Sequence, residues 1–124
     1  MGNMRATFRR GTTRLLQKLD RRRWRIGVTV EHADEVPEQI PRRRAVLVGT
    51  HDACKWLVFD CPCAERHRVM LNLDRGRRPS WALGPEELLT ISPSVDAPSI
   101  RGRCHYFIRS GRVQWVKQGR RFTT

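Results

Sequence analysis

The chain has 124 residues, and its 25 lysines and arginines against 12 acidic residues give it a formal charge of +13. This length suits one domain with a modest core and leaves little room for a second domain. The positive charge favours an acidic partner, of which nucleic acid is the obvious candidate.

The arginines are concentrated at residues 5–25, 42–44 and 75–78. These groups resemble a tail and loop clusters rather than one continuous stripe. A solvated, arginine-rich surface is therefore as good an interpretation of the charge as a binding patch for nucleic acid.

The beginning of the chain contains no apolar segment that could serve as a signal peptide, and no apolar run approaches the roughly 20 residues needed to span a bilayer. The sequence therefore predicts a cytoplasmic protein without a membrane partner. Thiols stay reduced in that compartment, so the four cysteines are expected to bind metal or to react rather than to form disulfides.

Three segments are predicted along the chain. Residues 1–23 form a basic N-terminal arm or a short helix, because few apolar residues stand among the arginines. Residues 24–119 form a single β-rich domain, and residues 120–124 form a tail.

The domain is predicted to begin with a strand. Ile26, Val28 and Val30 alternate at a period of two, which is typical of a half-buried strand. The next residues, 31–41, contain acids and two prolines and are predicted to form a loop without any regular element.

The later part of the chain alternates short apolar runs with turns, as in β domains with short connections. The predicted strands lie at residues 45–49, 55–61, 67–73, 81–83, 88–95, 106–108 and 113–116. Ser110 and Gly111 form a two-residue connection of hairpin type. Trp56, Trp81 and Trp115 fall within the apolar runs and are predicted to be core residues. The expected fold is mainly β (a β-rich α+β domain), a small antiparallel sheet domain with a C-terminal hairpin.

Two cysteines stand where the predicted strand 55–61 ends. Pro62, between Cys61 and Cys63, cannot donate a ladder hydrogen bond, so the backbone leaves the sheet and both thiols can turn toward one point. Cys104 and His105 open a later apolar run and are the expected partners that close such a site.

A second group of residues has the composition of a hydrolytic site. A serine hydroxyl is a weak nucleophile that needs a base within hydrogen-bond reach, and the base needs a third group to orient it. Ser94 is expected to end one strand and His105 to begin the next, so that antiparallel pairing brings them together. Asp96, Asp60 or Asp52 could orient the imidazole, and the residues alone do not choose among them.

Three motifs in order carry a resemblance to a known family. They are Trp-Leu-Val-Phe-Asp-Cys-Pro-Cys at 56–63, Leu-Thr-Ile-Ser-Pro-Ser-Val-Asp at 89–96 and Arg-Cys-His-Tyr-Phe-Ile-Arg-Ser-Gly-Arg-Val-Gln-Trp at 103–115. Together they resemble a bacterial domain-of-unknown-function family, over about residues 42–117. Genes of that family lie beside those of ubiquitin-like proteins and their activating-enzyme-like and conjugating-enzyme-like partners, in apparent defence operons.

The resemblance implies a peptidase of these conjugation systems. For such an activity we expect Ser94 to be the nucleophile, His105 the base and Asp96 the third group. The implied partners are a ubiquitin-like protein and its activating and conjugating enzymes.

The resemblance also implies bound metal. Zinc takes about four soft or borderline ligands, and we expect a structural zinc ion in a clip-like site. Members commonly carry a third cysteine in a Cys-Pro-Cys-Gly-Cys segment, where this chain has Ala64 and Glu65. His67 is then the candidate for the missing ligand. The expected ligands are Cys61, Cys63, His67 and Cys104.

Other interpretations stay open at this point. The domain could be a non-catalytic zinc-binding adaptor of the same pathway, or a nucleic-acid-binding domain that uses its arginines. In a further variant the zinc is catalytic, Glu65 activates a water on it, and Ser94 only shapes the pocket. The plain structural interpretation is that the cysteines are small core residues and that Ser-Pro-Ser is a turn.

Overall fold

A computed structural model of the protein describes residues 21–50, 52–100 and 102–117. Most of the predicted arm, residues 1–20, and the predicted tail at 120–124 lie outside the described residues. The strands of the described part are β1 (Arg25–Val30), β2 (Arg44–Thr50), β3 (Ala53–Asp60), β4 (Arg68–Asn72), β5 (Ala82–Leu83), β6 (Ile91–Ser99), β7 (Gly102–Arg109) and β8 (Arg112–Trp115). The prediction of a mainly β fold is confirmed.

The strands form two four-stranded sheets, with the orders β1-β2-β3-β4 and β5-β6-β7-β8. Neighbours are antiparallel with one exception, since β1 runs parallel to β2. A parallel pair needs a long crossover, and residues 31–43 provide it.

The crossover corrects one expectation. It was predicted to lack regular structure, but it contains a short 3-10 helix at Ala33–Glu35. The Glu35 carboxylate accepts a hydrogen bond from the backbone N–H of His32 at 2.9 Å, which closes a capping box at the start of this turn.

The main core lies between the two sheets. Leu57 and Phe59 of β3 pack with Ile91 of β6 and with Tyr106 and Ile108 of β7 in one cluster of buried side chains. Alternate residues of a strand point to opposite faces of the sheet. The apolar residues at every second position of a strand therefore lie together on the face that packs in the core. Burial of a large apolar side chain stabilises the fold by about 1.5–3 kcal/mol.

A second cluster covers the outer face of the first sheet. Val46 and Val48 of β2 and Val58 of β3 pack there against Ile40 of the crossover. Strand β3 is therefore buried on both faces, as its continuous apolar run predicts.

The C-terminal hairpin joins β7 to β8 through Ser110 and Gly111, as predicted. Both residues have positive φ, 49° and 80°, which is the backbone conformation of a type I′ turn. Trp115 at the end of β8 was predicted to be a core residue, but it is 48% exposed. It lies on an edge strand, where its ring meets the ring of Tyr106 edge-on at 4.9 Å between centroids.

Trp24, and not Trp115, is the tryptophan that is buried in the core. Trp24 precedes β1, is 5% exposed, and meets the ring of Phe59 edge-on with 5.5 Å between centroids. Within the described residues no helix combines the length and the apolar character needed to cross a membrane.

Candidate active site and metal cluster

Strands β6 and β7 carry the candidate catalytic pair, and β7 also carries Cys104 of the predicted metal site. Their central residues pair in antiparallel register, and Asp96 stands opposite His105. Val95 and Tyr106 are buried on the inner face. Because side chains alternate along a strand, Ser94 and His105 project from the outer face of the same sheet.

Ser94 and His105 form a direct hydrogen bond. Ser94 Oγ lies 2.8 Å from His105 Nε2, and both residues are half-buried. This distance falls within the roughly 2.6–3.2 Å over which a base can take a proton. The structure thus brings together the two residues that the sequence paired.

The positions of Ser94 and His105 within their strands differ from the predicted ones. Ser94 does not end its strand and His105 does not begin the next, since both lie inside the paired strands. Ser94 falls in an irregular part of the ladder between Ile91 and Val95, where Pro93 has no N–H to donate. Such irregularities re-aim side chains in a sheet.

Trp81 anchors the backbone at this position. Its indole Nε1–H donates to the carbonyl oxygen of Ser94 at 3.1 Å. Sequence reasoning placed Trp81 only in the core and missed this contact. No periodic pattern indicates it, because the two residues are brought together by the pairing of β5 with β6.

Asp96 lies on the same face as His105, directly across the strand pair. Its carboxylate Oδ1, however, accepts a hydrogen bond from Arg103 Nε at 2.8 Å, and Arg103 Nη2 also donates to the Asp96 carbonyl oxygen at 3.3 Å. Among the described residues the structure shows no hydrogen bond between Asp96 and His105. Its role as the third group stays a prediction.

The other two candidate carboxylates belong to the first sheet. Asp60 follows Phe59, whose side chain points inward, so Asp60 lies on the outer face of that sheet. There it accepts a hydrogen bond from Arg68 Nε at 2.8 Å. Asp52 lies in the turn between β2 and β3. Of the three, only Asp96 shares a sheet face with His105.

The cysteine and histidine side chains of the predicted metal site converge on one point. Their ligand atoms all lie within 4.8 Å of one another. The members of this metal cluster are Cys61, Cys63, His67 and Cys104. Three come from the connection between β3 and β4, and the fourth from the inner face of β7, so the cluster joins the two sheets.

The connection between β3 and β4 is held in shape by its own backbone. The N–H of Cys61 donates to the carbonyl of His67 at 2.7 Å, and the N–H of Arg66 donates to the carbonyl of Cys63 at 3.1 Å. Arg66 has φ 51°, a left-handed conformation that tightens the turn. These bonds hold the connection that carries Cys63 and His67 against the end of β3.

One distance in the metal cluster matches the separation of ligand atoms around a tetrahedral ion. Cys104 Sγ lies 3.7 Å from His67 Nε2. Ligand atoms around an ion with bonds of about 2.3 Å to sulfur and about 2.0 Å to nitrogen lie roughly 3.5–3.8 Å apart. The metal cluster could therefore hold a metal ion, and the expectation that these four residues converge is confirmed.

The thiols of the metal cluster have unequal acidities. Burial raises the pKa of Cys61 to about 12 and also raises the pKa of Cys104. Burial opposes ionisation of Cys63 as well, but hydrogen bonds from the backbone of Arg66, from Cys61 and from the backbone of Glu65 outweigh it and lower the pKa of Cys63. A cation that binds here must displace protons from Cys61 and Cys104.

Two further side chains adjoin the metal cluster. The buried hydroxyl of Tyr106 donates to Cys61 Sγ at 3.4 Å, and burial raises the pKa of Tyr106. Sequence reasoning missed this contact, although Tyr106 follows Cys104 by two residues and so shares its sheet face. Glu65 is not one of the clustered ligands, and its carboxylate accepts a hydrogen bond from the backbone N–H of Ile100 at 3.3 Å.

The fold and the two sites define a small β protein that carries a serine–histidine pair on a sheet face and a potential metal site between its sheets. Comparison with family models matches residues 32–116 to the family described as bacterial ubiquitination-like system serine protease (BubE). The chain belongs to this family, and the resemblance noted in the sequence is confirmed. Neither the search of curated proteins nor the search of solved structures found a match to the chain.

Proposed function

We propose that the protein is a serine peptidase that processes or removes a ubiquitin-like protein in a bacterial ubiquitination-like pathway. The single observation that carries this proposal is the hydrogen bond of 2.8 Å between Ser94 Oγ and His105 Nε2. Membership of a serine protease family supports it. The defence role suggested by the gene neighbourhood of the family is part of the same proposal.

In the proposed reaction His105 serves first as base and then as acid. Ser94 Oγ attacks the carbonyl carbon of the scissile amide while His105 Nε2 takes the hydroxyl proton. The same nitrogen gives that proton to the leaving amine, and the acyl group stays on Ser94 as an ester. His105 then takes a proton from a water molecule, whose oxygen attacks the ester carbon. As the bond from that carbon to Ser94 Oγ breaks, His105 returns the proton to Oγ, and the acyl group leaves as a carboxylic acid.

Asp96 is proposed as the positioning residue for His105. With Nε2 facing Ser94, the proton of a neutral imidazole must sit on Nδ1, and an acceptor there would hold the ring in place. Residues directly opposite in an antiparallel pair have Cβ atoms about 4.5–5.5 Å apart. Asp96 is so placed, and a rotation of its carboxylate away from Arg103 would aim it at the imidazole.

The metal cluster is proposed to bind zinc in a structural role, since three thiolates and one imidazole suit that ion. A bound zinc ion would supply a cross-link between the β3–β4 connection and β7. Cys104 is the neighbour of His105, so this cross-link would fix the strand that positions the base. The ligands must be reduced, which agrees with a cytoplasmic location.

The substrate is proposed to be the C-terminal region of a ubiquitin-like protein, either as a precursor or after conjugation. The activating and conjugating enzymes of the pathway are the proposed functional partners. Hydrolysis of a precursor after its terminal glycine would produce the carboxylate that an activating enzyme uses.

The proposal is tested with the pathway's own ubiquitin-like precursor and a fluorophosphonate probe. Ser94→Ala and His105→Ala should each lower cleavage by at least about 10³-fold, since the members of a catalytic unit are not additive. Ser92→Ala is the matched control, because Ser92 lies on the same strand and is exposed.

The probe should label the unaltered protein at Ser94 and should not label Ser94→Ala. A Ser94→Ala protein that still cleaves at the original rate would exclude the serine mechanism. If the unaltered protein bound the ubiquitin-like protein but neither cleaved it nor reacted with the probe, the non-catalytic adaptor would take the place of the peptidase.

A further inference from the structure

Arginines from separate segments of the chain gather on one concave surface. Three adjoining depressions share residues along their borders. The central depression shares Trp24, Arg43 and Pro62 with the second depression. It shares Arg42 and Arg66 with the third. We call this region the Pro62 surface, and its arginines are Arg22, Arg23, Arg42, Arg43, Arg66 and Arg112. The sequence shows these residues only as scattered groups.

The charge of the Pro62 surface is poorly neutralised. Asp60 lines two of its depressions, but the Asp60 carboxylate is already paired with Arg68 at 2.8 Å. Glu38 lines one of these two depressions and is exposed. Among the described residues none of the six arginines forms an ion pair, and Arg23 alone donates a side-chain hydrogen bond, to the carbonyl of Ser110.

We propose that the Pro62 surface binds the sugar-phosphate backbone of a nucleic acid. Guanidinium groups donate paired hydrogen bonds to phosphate oxygens. Several arginines spread over adjoining depressions suit a chain of phosphates better than one small anion.

The interaction is with the backbone and not with the bases. Trp24 is the only aromatic residue that lines the described depressions, and it is 5% exposed because it packs on Phe59. An aromatic platform on which bases stack is therefore missing from the described surface. Binding should be insensitive to base sequence and strongly weakened by salt.

The Pro62 surface is separate from the proposed catalytic residues. Neither Ser94 nor His105 lines any of its depressions. Loss of nucleic-acid binding and loss of peptidase activity can therefore be measured independently, and the two proposals can fail separately.

The test uses fluorescence anisotropy of a labelled 20-base-pair DNA duplex with the full chain over a series of sodium chloride concentrations. The variant Arg22→Ala/Arg42→Ala/Arg112→Ala should bind at least about tenfold more weakly at low salt. The slope of log K against log salt should shrink by about 0.9 for each phosphate that the variant no longer neutralises. A duplex of unrelated sequence should bind equally well.

The matched control removes the same charge elsewhere. Arg75, Arg77 and Arg78 are exposed in the connection between β4 and β5, and their triple alanine variant should weaken binding less than about threefold. An equal loss in both triple variants would overturn the proposal, because binding would then follow net charge alone. Poly-glutamate that displaces the duplex at equal charge concentration would also overturn it, in favour of an acidic protein partner.

A second variant guards against misfolding of the first. Arg43 and Arg66 have φ 61° and 51°, so asparagine, which tolerates the left-handed region, replaces them with little strain. Arg43→Asn/Arg66→Asn should lower affinity about tenfold while thermal unfolding stays unchanged. Full affinity in this folded variant would overturn the proposal.

Discussion

The two sheets differ in what covers their outer faces. The outer face of the first sheet is closed by the crossover, through Ile40 against Val46 and Val58. The outer face of the second sheet carries polar and charged groups instead, among them Ser94 and His105. The first sheet thus contributes stability on both faces, while the second uses one face for the core and leaves polar residues on the other.

This contrast predicts that core substitutions and site substitutions have separable effects. Phe59→Ala should lower the free energy of unfolding by about 3–5 kcal/mol, because it empties the space between the sheets. Ser94→Ala on the open face should change it by less than about 0.5 kcal/mol. Chemical denaturation with circular dichroism measures both values. A Ser94→Ala protein as unstable as Phe59→Ala would show that the open face is part of the folding core.

The metal cluster links the two sheets, so the largest effect after core disruption is expected from metal removal. Zinc at a thousandfold excess over its dissociation constant should stabilise the fold by about 4 kcal/mol. The Cys104→Ser variant should lose most of this stabilisation by zinc, because it removes the one thiol ligand that β7 supplies. Calorimetry with and without a chelator measures the gain.

Cys54 provides the control for that measurement. It is exposed and lies outside the metal cluster, so Cys54→Ser should keep the full response to zinc. Equal stability of the loaded and chelated proteins would contradict a structural metal.

Much of this architecture could be predicted from local sequence. The apolar run of β3 and the Ser110–Gly111 turn depend on neighbouring residues, and both were predicted. The convergence of the metal cluster followed from cysteines at strand ends together with the family resemblance.

The features that were missed depend on distant parts of the chain. The parallel pairing of β1 with β2 requires the crossover, which no periodic pattern indicates. Exposure of Trp115 and burial of Trp24 depend on which element covers each ring. Ser94 was predicted to end its strand, but β6 continues past it to Ser99 through an irregular ladder. The gathering of arginines on the Pro62 surface is likewise a property of the folded chain only.

Alkaline pH should weaken the metal-free protein more than the metal-loaded one. Burial raises the pKa of Cys61 from 9.0 to about 12. Between these values the unfolded chain loses the thiol proton while the folded chain keeps it, so the free energy of unfolding falls as pH rises. The loss is at most about 1.4 kcal/mol per pH unit for one group.

Thermal unfolding under reducing conditions at pH 8 and pH 10 measures this loss. Cys61→Ala should remove the part of the pH dependence that comes from this thiol. The same alkaline loss in the Cys61→Ala protein would assign the effect to other groups.

The smallest effect on stability is expected at the pair of Asp96 and Arg103 on the open face. Both side chains are about half exposed, at 47% and 59%, and such pairs contribute about 0.2–1 kcal/mol. Asp96→Asn should therefore leave the unfolding curve nearly unchanged.

If Asp96 positions His105, the same variant should lower kcat while KM stays similar, because the asparagine side chain carries no charge to stabilise the imidazolium. Arg103→Ala is the matched variant, since it breaks the pair but leaves the carboxylate free to turn toward His105, and its kcat should be kept or raised. Equal losses of kcat in both variants would mean that the intact ion pair, and not the Asp96 carboxylate alone, shapes the open face.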